Sequence, residues 1–173
     1  MTAATSPRAG FARWRVPLGF ALALVVLWFL APTRRSVAIG LPIALAGQLL
    51  RLWAAGHLEK SREVTRSGPY RWTRHPLYAG STLMGVGFAV ASASSVAAAI
   101  IAIYLVTTIG VAVRTEEAYL RATFGGTYDA YAAGTATSVR RHFSVARALR
   151  NKEYRSAIGF LVASGSLLLY VLR

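Results

Sequence analysis

The chain predicts an all-α fold: a polytopic bundle of about five membrane-spanning helices with its N-terminus in the cytoplasm. Three observations carry this reading. Apolar residues make up 55% of the 173 positions and charged ones only 15%, which is too apolar for an ordinary soluble domain. Apolar runs of near-spanning length alternate with charged segments. Lys and Arg gather on every second segment, the pattern of a topology signal. The size suits a single integral membrane domain over 1–173.

The first span is expected over about residues 16–31, behind Arg8, Arg13 and Arg15. That opening resembles a signal peptide, but no clear small-residue cleavage site follows, so an uncleaved first helix is expected. The second span runs over about 36–55 and the last over about 156–172. Between them, residues 77–113 carry no charged side chain, and one crossing needs only about 20 residues. Two helices are therefore predicted there, joined at Ser92-Ala93-Ser94-Ser95, where short hydroxyl side chains can bond exposed backbone. Charges resume at Arg114, and the pair Leu120 and Phe124 at i, i+4 extends the fourth helix beyond the bilayer until Gly125 and Gly126 stop it.

Basic residues outnumber acidic ones by 20 to 6. With five spans, the N-terminal segment, residues 57–76 and residues 114–155 share one face and hold most of this charge. All the acidic residues fall there too. This reads as positive-inside, so the excess basicity reflects topology and contact with anionic lipid headgroups, with no nucleic-acid partner. The expected location is an inner or plasma membrane with the chemistry on its cytoplasmic face. The basic run from Ser138, through Arg140, Arg141, Arg147, Arg150 and Lys152 to Arg155, is assigned to those headgroups. Cysteine is absent, which excludes disulfides, thiolate metal sites and a catalytic thiol; no metal site is expected.

The two cytoplasmic segments hold nearly every residue capable of chemistry. In the first, Ser67-Gly68-Pro69 is a turn signal, and Pro76 suits the first position of the third helix while holding His75 out of helical geometry. Free N–H groups on Leu77 and Tyr78 would then form an anion site, with Arg74 beside it as a fork for a carboxylate or phosphate. Gly80 permits close approach of a backbone or flat ring. Tyr70, Trp72 and Tyr78 would equally serve as an interfacial aromatic belt. In the second segment, Glu117 can pair with Arg114 or Arg121. Glu116 lies on another face without an evident partner in its helix.

The order Gly68-Pro69-Tyr70, Arg74-His75-Pro76-Leu77-Tyr78-Ala79-Gly80, Glu116-Glu117 and Phe124-Gly125-Gly126-Thr127-Tyr128 resembles the isoprenylcysteine carboxyl methyltransferase and phospholipid methyltransferase superfamily. The approach segment Arg51-Leu52-Trp53-Ala54-Ala55-Gly56 adds to this, and the resemblance covers roughly residues 47–131. It implies a compact membrane helix bundle that binds S-adenosylmethionine. Tyr70, Arg74, His75, Pro76, Tyr78 and Gly80 would flank the cofactor on one side, with Glu116 and Glu117 on the other. Which glutamate meets the ammonium and which the ribose stays open. After Tyr131 the chain departs from the family pattern.

The implied reaction is methyl transfer to a lipid-like or membrane-associated acceptor, such as an isoprenylcysteine carboxylate. A carboxylate acceptor would call on Arg51 or Arg74 for orientation; an amine, as in a phospholipid, would call on His57 or a glutamate as base. His57 also suits a plain interfacial role, and Arg51 is near enough to a span end to snorkel. Two further readings are an NADPH-dependent membrane reductase of the sterol reductase type and a non-catalytic scaffold. Paired carboxylates argue against the first, because they suit a cationic cofactor and repel a polyphosphate.

Overall fold

The structure is a computed structural model that describes residues 19, 21–22 and 24–173. Within these residues it is helical without strands. Residues 24–28 are helical; the rest of the expected first span lies partly outside the described residues, as do Arg8, Arg13 and Arg15. The long elements are α1 (Arg34–His57), α2 (Pro76–Ser92) and α3 (Ser95–Phe124). Two short helices follow, α4 (Gly126–Ala132) and α5 (Val145–Arg150), before the last long one, α6 (Tyr154–Leu172).

Helix α1 starts two residues before the expected 36 because Thr33 caps it. The Thr33 hydroxyl accepts from the Ser36 amide at 3.0 Å while the Ser36 hydroxyl accepts from the Thr33 amide at 2.9 Å. The hairpin between α2 and α3 falls at the predicted serines. Ala93 takes a left-handed conformation, φ 48°. The Ser92 hydroxyl donates to the Ala89 carbonyl at 2.7 Å, and that of Ser94 accepts from the Ala97 amide at 3.3 Å.

Helices α1, α3 and α6 are long and apolar enough to cross a membrane. Helix α2, at 17 residues, is about 25 Å long, short of the ~30 Å hydrocarbon core. Helix α3, at 30 residues, is about 45 Å long, so its charged last turns extend beyond any bilayer its apolar part occupies, as expected.

Small residues hold the bundle together. A Cβ on Gly40 would stand 2.4 Å from the Gly87 carbonyl, and one on Gly47 would stand 2.6 Å from that of Gly80. Backbones of α1 and α2 therefore touch directly, the close packing small residues permit in lipid. Gly85 similarly admits Leu105 of α3. By contrast a Cβ on Gly159 of α6 would meet no packing neighbour within 4 Å among the described residues. Large side chains point outward: Ile103, Val106, Leu161 and Leu169 are all exposed, an inside-out distribution suited to acyl chains.

Candidate active site

The site is assembled at the end of the bundle where α1 finishes and α2 begins. Gly68 opens a single 3-10 turn over Gly68–Arg71 with φ 56°, a left-handed value that glycine tolerates. A Cβ there would also meet the His57 ring at 2.6 Å. The turn buries Tyr70, and this burial drives its phenol strongly upward from the ordinary pKa, the charge of Glu116 adding to the effect. Tyr131 of α4 braces the same turn by donating to the Tyr70 carbonyl at 2.8 Å.

Pro76 opens α2 with His75 as the capping residue, as predicted. The expected free amide at Tyr78 is not free, because it donates to the His75 carbonyl at 3.1 Å. His75 closes the turn with its own backbone. Its side chain instead reaches α3, where Nε2–H donates to Oε1 of Glu117 at 2.9 Å; a carboxylate acceptor places the proton on Nε2. Arg74 Nη1 stands 3.3 Å from the same oxygen. The expected pairing of Glu117 with Arg114 or Arg121 is thus replaced by a tie between helices. Arg121 pairs with Asp129 at 3.0 Å.

Beside this clamp lies a cavity of about 720 Å³, within the ~300–1,000 Å³ range of small-molecule sites. Of the residues singled out from sequence, Arg51, Tyr70, Arg74, Tyr78 and Glu116 line it. Glu116 makes no ion pair or hydrogen bond among the described residues. Successive helix positions diverge by about 100°, which separates the two glutamates: Glu117 ties elements together and Glu116 faces the cavity.

The other predicted residues lie outside the lining. His75 and Glu117 form its supporting clamp, and Pro76 is the buried first residue of α2. Gly80 faces α1, where a Cβ would meet Arg51 Cγ at 2.6 Å, so its close approach is to backbone and the arginine stem. His57 is buried, with Nδ1 3.1 Å from the Ser67 hydroxyl and its ring edge-on to Trp53. It supports the 3-10 turn from behind.

Arg51 does not snorkel. Its Nε–H donates to Oε1 of Glu153 at 2.9 Å and to the Ser156 hydroxyl at 2.9 Å, while Nη2 donates to Oε2 of Glu153 at 3.0 Å. Nη1 donates to the Leu77 carbonyl at 3.3 Å and to the Ser81 hydroxyl. Gln48 completes the network, accepting from Ser156 at 2.8 Å and donating to Glu153 at 3.4 Å. Sequence reading passed over Glu153. The available signal was a lone carboxylate in a basic segment at the foot of an apolar span, matched to an arginine inside another.

The basic tail is likewise more internal than expected. Arg147 donates to Glu59 at 2.7 Å and to the Gly56 carbonyl at 2.6 Å, and Arg141 donates to Glu63 at 2.6 Å. Asn151 caps the end of α1 through the Ala55 and Leu58 carbonyls at 2.9 and 2.8 Å. These contacts fold the tail over α1 and bring Asn151 and Glu153 into the cavity wall. Arg140, Lys152 and Arg155 have no acidic partner among the described residues.

Residues 36–127 match the phospholipid methyltransferase family. The chain is also similar to the cobalt-zinc-cadmium resistance protein CzcN of Cupriavidus metallidurans, 29% identical over 121 residues, which is 64% of this chain and 55% of that protein. It thus spans about half the length of this curated relative. No solved structure gives a significant match. The matched segment contains the His75–Glu117 clamp and Glu116, whereas Tyr131, Asn151 and Glu153 lie beyond it. On the strength of that match over more than half its length, the chain belongs to the phospholipid methyltransferase family, a group of membrane methyltransferases.

Proposed function

We propose that the protein transfers a methyl group from S-adenosylmethionine to a lipid-like acceptor at the cytoplasmic boundary of an inner or plasma membrane. The observation that carries this reading is Glu116, a carboxylate without a protein partner among the described residues, set in the cavity wall next to the His75–Glu117–Arg74 clamp. The donor set fits the cofactor. Glu116 suits its cationic or ribose hydroxyl groups, and Arg74, held to Glu117 through Nη1 alone, keeps its other N–H groups for the carboxylate. When bound, the cofactor supplies an electrophilic methyl carbon on a sulfonium, so the chain needs no covalent nucleophile.

The remaining task of the protein is alignment and exclusion of water. Tyr70 and Tyr78 wall the cavity at the clamp, while Leu105, Thr108 and Ile109 of α3 extend it into the apolar part of the bundle. Such a site receives a soluble cofactor from one side and a lipophilic acceptor from the bilayer. The bias of basic residues toward this end supports its cytoplasmic placement, and Arg140, Lys152 and Arg155, without an acidic partner among the described residues, suit anionic headgroups.

The test is saturable binding of S-adenosylmethionine and of NADPH to the purified protein, beside Glu116→Gln and His75→Ala. Binding of S-adenosylmethionine that weakens in both folded variants is the expected result. NADPH binding in its place, or no binding of either, overturns the proposal.

A further inference from the structure

Resting on the methyltransferase reading, we infer that Glu153 selects the acceptor: by neutralising Arg51 in the cavity wall it excludes a carboxylate headgroup and admits one that donates a hydrogen bond, an alcohol or an amine. Both residues line the cavity, and both are mostly buried, with side-chain exposures of 19% for Arg51 and 5% for Glu153. A guanidinium without an anion of its own would be the natural seat for a carboxylate acceptor. Here that seat is taken by the protein.

The bonds can be counted. Arg51 commits Nε–H and one Nη2–H to Glu153, and Nη1 to Leu77 and Ser81. Among the described residues, one Nη2–H keeps no partner, and Oε2 of Glu153 accepts from Arg51 alone. The free N–H points away from Glu153, so what remains for a headgroup beside the ion pair is one acceptor, Oε2. A hydroxyl or an amine satisfies it by donating a hydrogen bond. A carboxylate offers only lone pairs, so it would face Oε2 with like charge and would have to displace Glu153 to reach the arginine. The Gln48 and Ser156 contacts hold Glu153 and Arg51 against that displacement.

Glu153 reaches this position through the C-terminal tail, outside the segment that matches the family. The contacts of Arg147, Arg141 and Asn151 with the end of α1 and the following loop place it there. Acceptor choice is therefore set by a part of the chain separate from the cofactor clamp.

The experiment measures binding of dodecanol, dodecylamine and dodecanoate to the full chain in lipid nanodiscs, for the wild type, Glu153→Ala, Glu153→Gln and the double variant Arg51→Gln/Glu153→Gln. The wild type should bind dodecanol or dodecylamine at least about tenfold more tightly than dodecanoate, and the stronger of the two identifies the headgroup. Either single variant should gain at least about tenfold for dodecanoate, and the double variant should lose that gain. A wild type that prefers dodecanoate overturns the inference, as does a single variant that folds without gaining carboxylate affinity, or a double variant that keeps the gain. Should Glu153→Ala fail to fold, Glu153→Gln keeps the side-chain volume and decides. S-adenosylmethionine binding on the same samples should stay within about twofold of wild type, and a loss as large as the acceptor effect assigns Glu153 to the cofactor and overturns the selection role. Absence of that binding from the wild type sinks the methyltransferase reading while leaving the headgroup preference measurable.

Discussion

Nε2 of His75 donates to Oε1 of Glu117 at 2.9 Å across a sequence separation of 42 residues. This bond joins the residue that ends the 3-10 connection to the charged extension of α3, and it determines which of two adjacent glutamates is left for a ligand. Because Glu117 is occupied by His75 and Arg74, the carboxylate left facing the cavity is Glu116, the one proposed to meet the cofactor.

Substitution of the two glutamates should therefore give different signatures. Glu117→Ala removes a charge-assisted bond and leaves His75 without its partner, so stability should fall by about 1.5–3 kcal/mol together with S-adenosylmethionine affinity. Glu116→Gln should weaken binding at least about tenfold with the melting temperature unchanged. Parallel thermal unfolding and ligand titration of the purified variants separate the two, and equal loss of stability in both would contradict the division of roles.

The glycine contacts predict a sharp contrast along the bundle. A methyl group added at Gly87 would stand 2.3 Å from the Ala44 amide nitrogen, so Gly87→Ala should force α1 and α2 apart and cost about 1–3 kcal/mol. Gly159→Ala has open space around its Cβ and should be neutral or slightly stabilising, since alanine favours helix over glycine by about 1 kcal/mol. Unfolding of both variants in one detergent checks the order.

Removing the Tyr131 hydroxyl should loosen the cavity without touching the clamp. Burial pushes this phenol up to about 12, so it stays protonated and donating at neutral pH. Tyr131→Phe loses the 2.8 Å bond to the Tyr70 carbonyl, at a cost of about 1 kcal/mol. Faster hydrogen exchange of the Gly68–Arg71 turn, with weaker S-adenosylmethionine binding, is the expected outcome.

Acid should release the tail from the end of α1. The hydrogen bond from Arg147 is the main cause that holds the Glu59 carboxyl below its usual value of 4.5, with burial opposing it. A depressed folded pKa means that the bond stabilises the fold above about pH 4.5 and that this contribution is lost as pH falls through the lower folded value. Limited proteolysis between residues 133 and 144 should therefore accelerate on acidification below that range, and Arg147→Gln should already be cut faster at pH 7. A cleavage rate of Arg147→Gln equal to wild type would refute the tether.

Much of the fold was legible from one dimension. Charge-free apolar runs, the serine turn near Ala93, Pro76 at a helix start and the stop at Gly125 are local features, and each element appears where its own residues direct it. The N-terminal part of the first span lies outside the described residues, and α2 is shorter than a full crossing. The motif residues Arg74, His75, Glu116 and Glu117 were legible as a candidate site from their types and order, and the structure brings them together at one end of the bundle.

What sequence by itself determined is thus the helices and their apolar character, both set by periodicity, capping chemistry and local backbone preference. Tertiary structure alone decided the partners. Glu117 had two arginines within reach on its own helix and took His75 and Arg74 from another element; Arg51 met Glu153, 102 residues away; and Arg147 and Arg141 of the tail turned inward to Glu59 and Glu63. The physical reason is that pairing of charges depends on distance in space and on how completely water is excluded, and both are properties of the packed bundle that no spacing along the chain encodes.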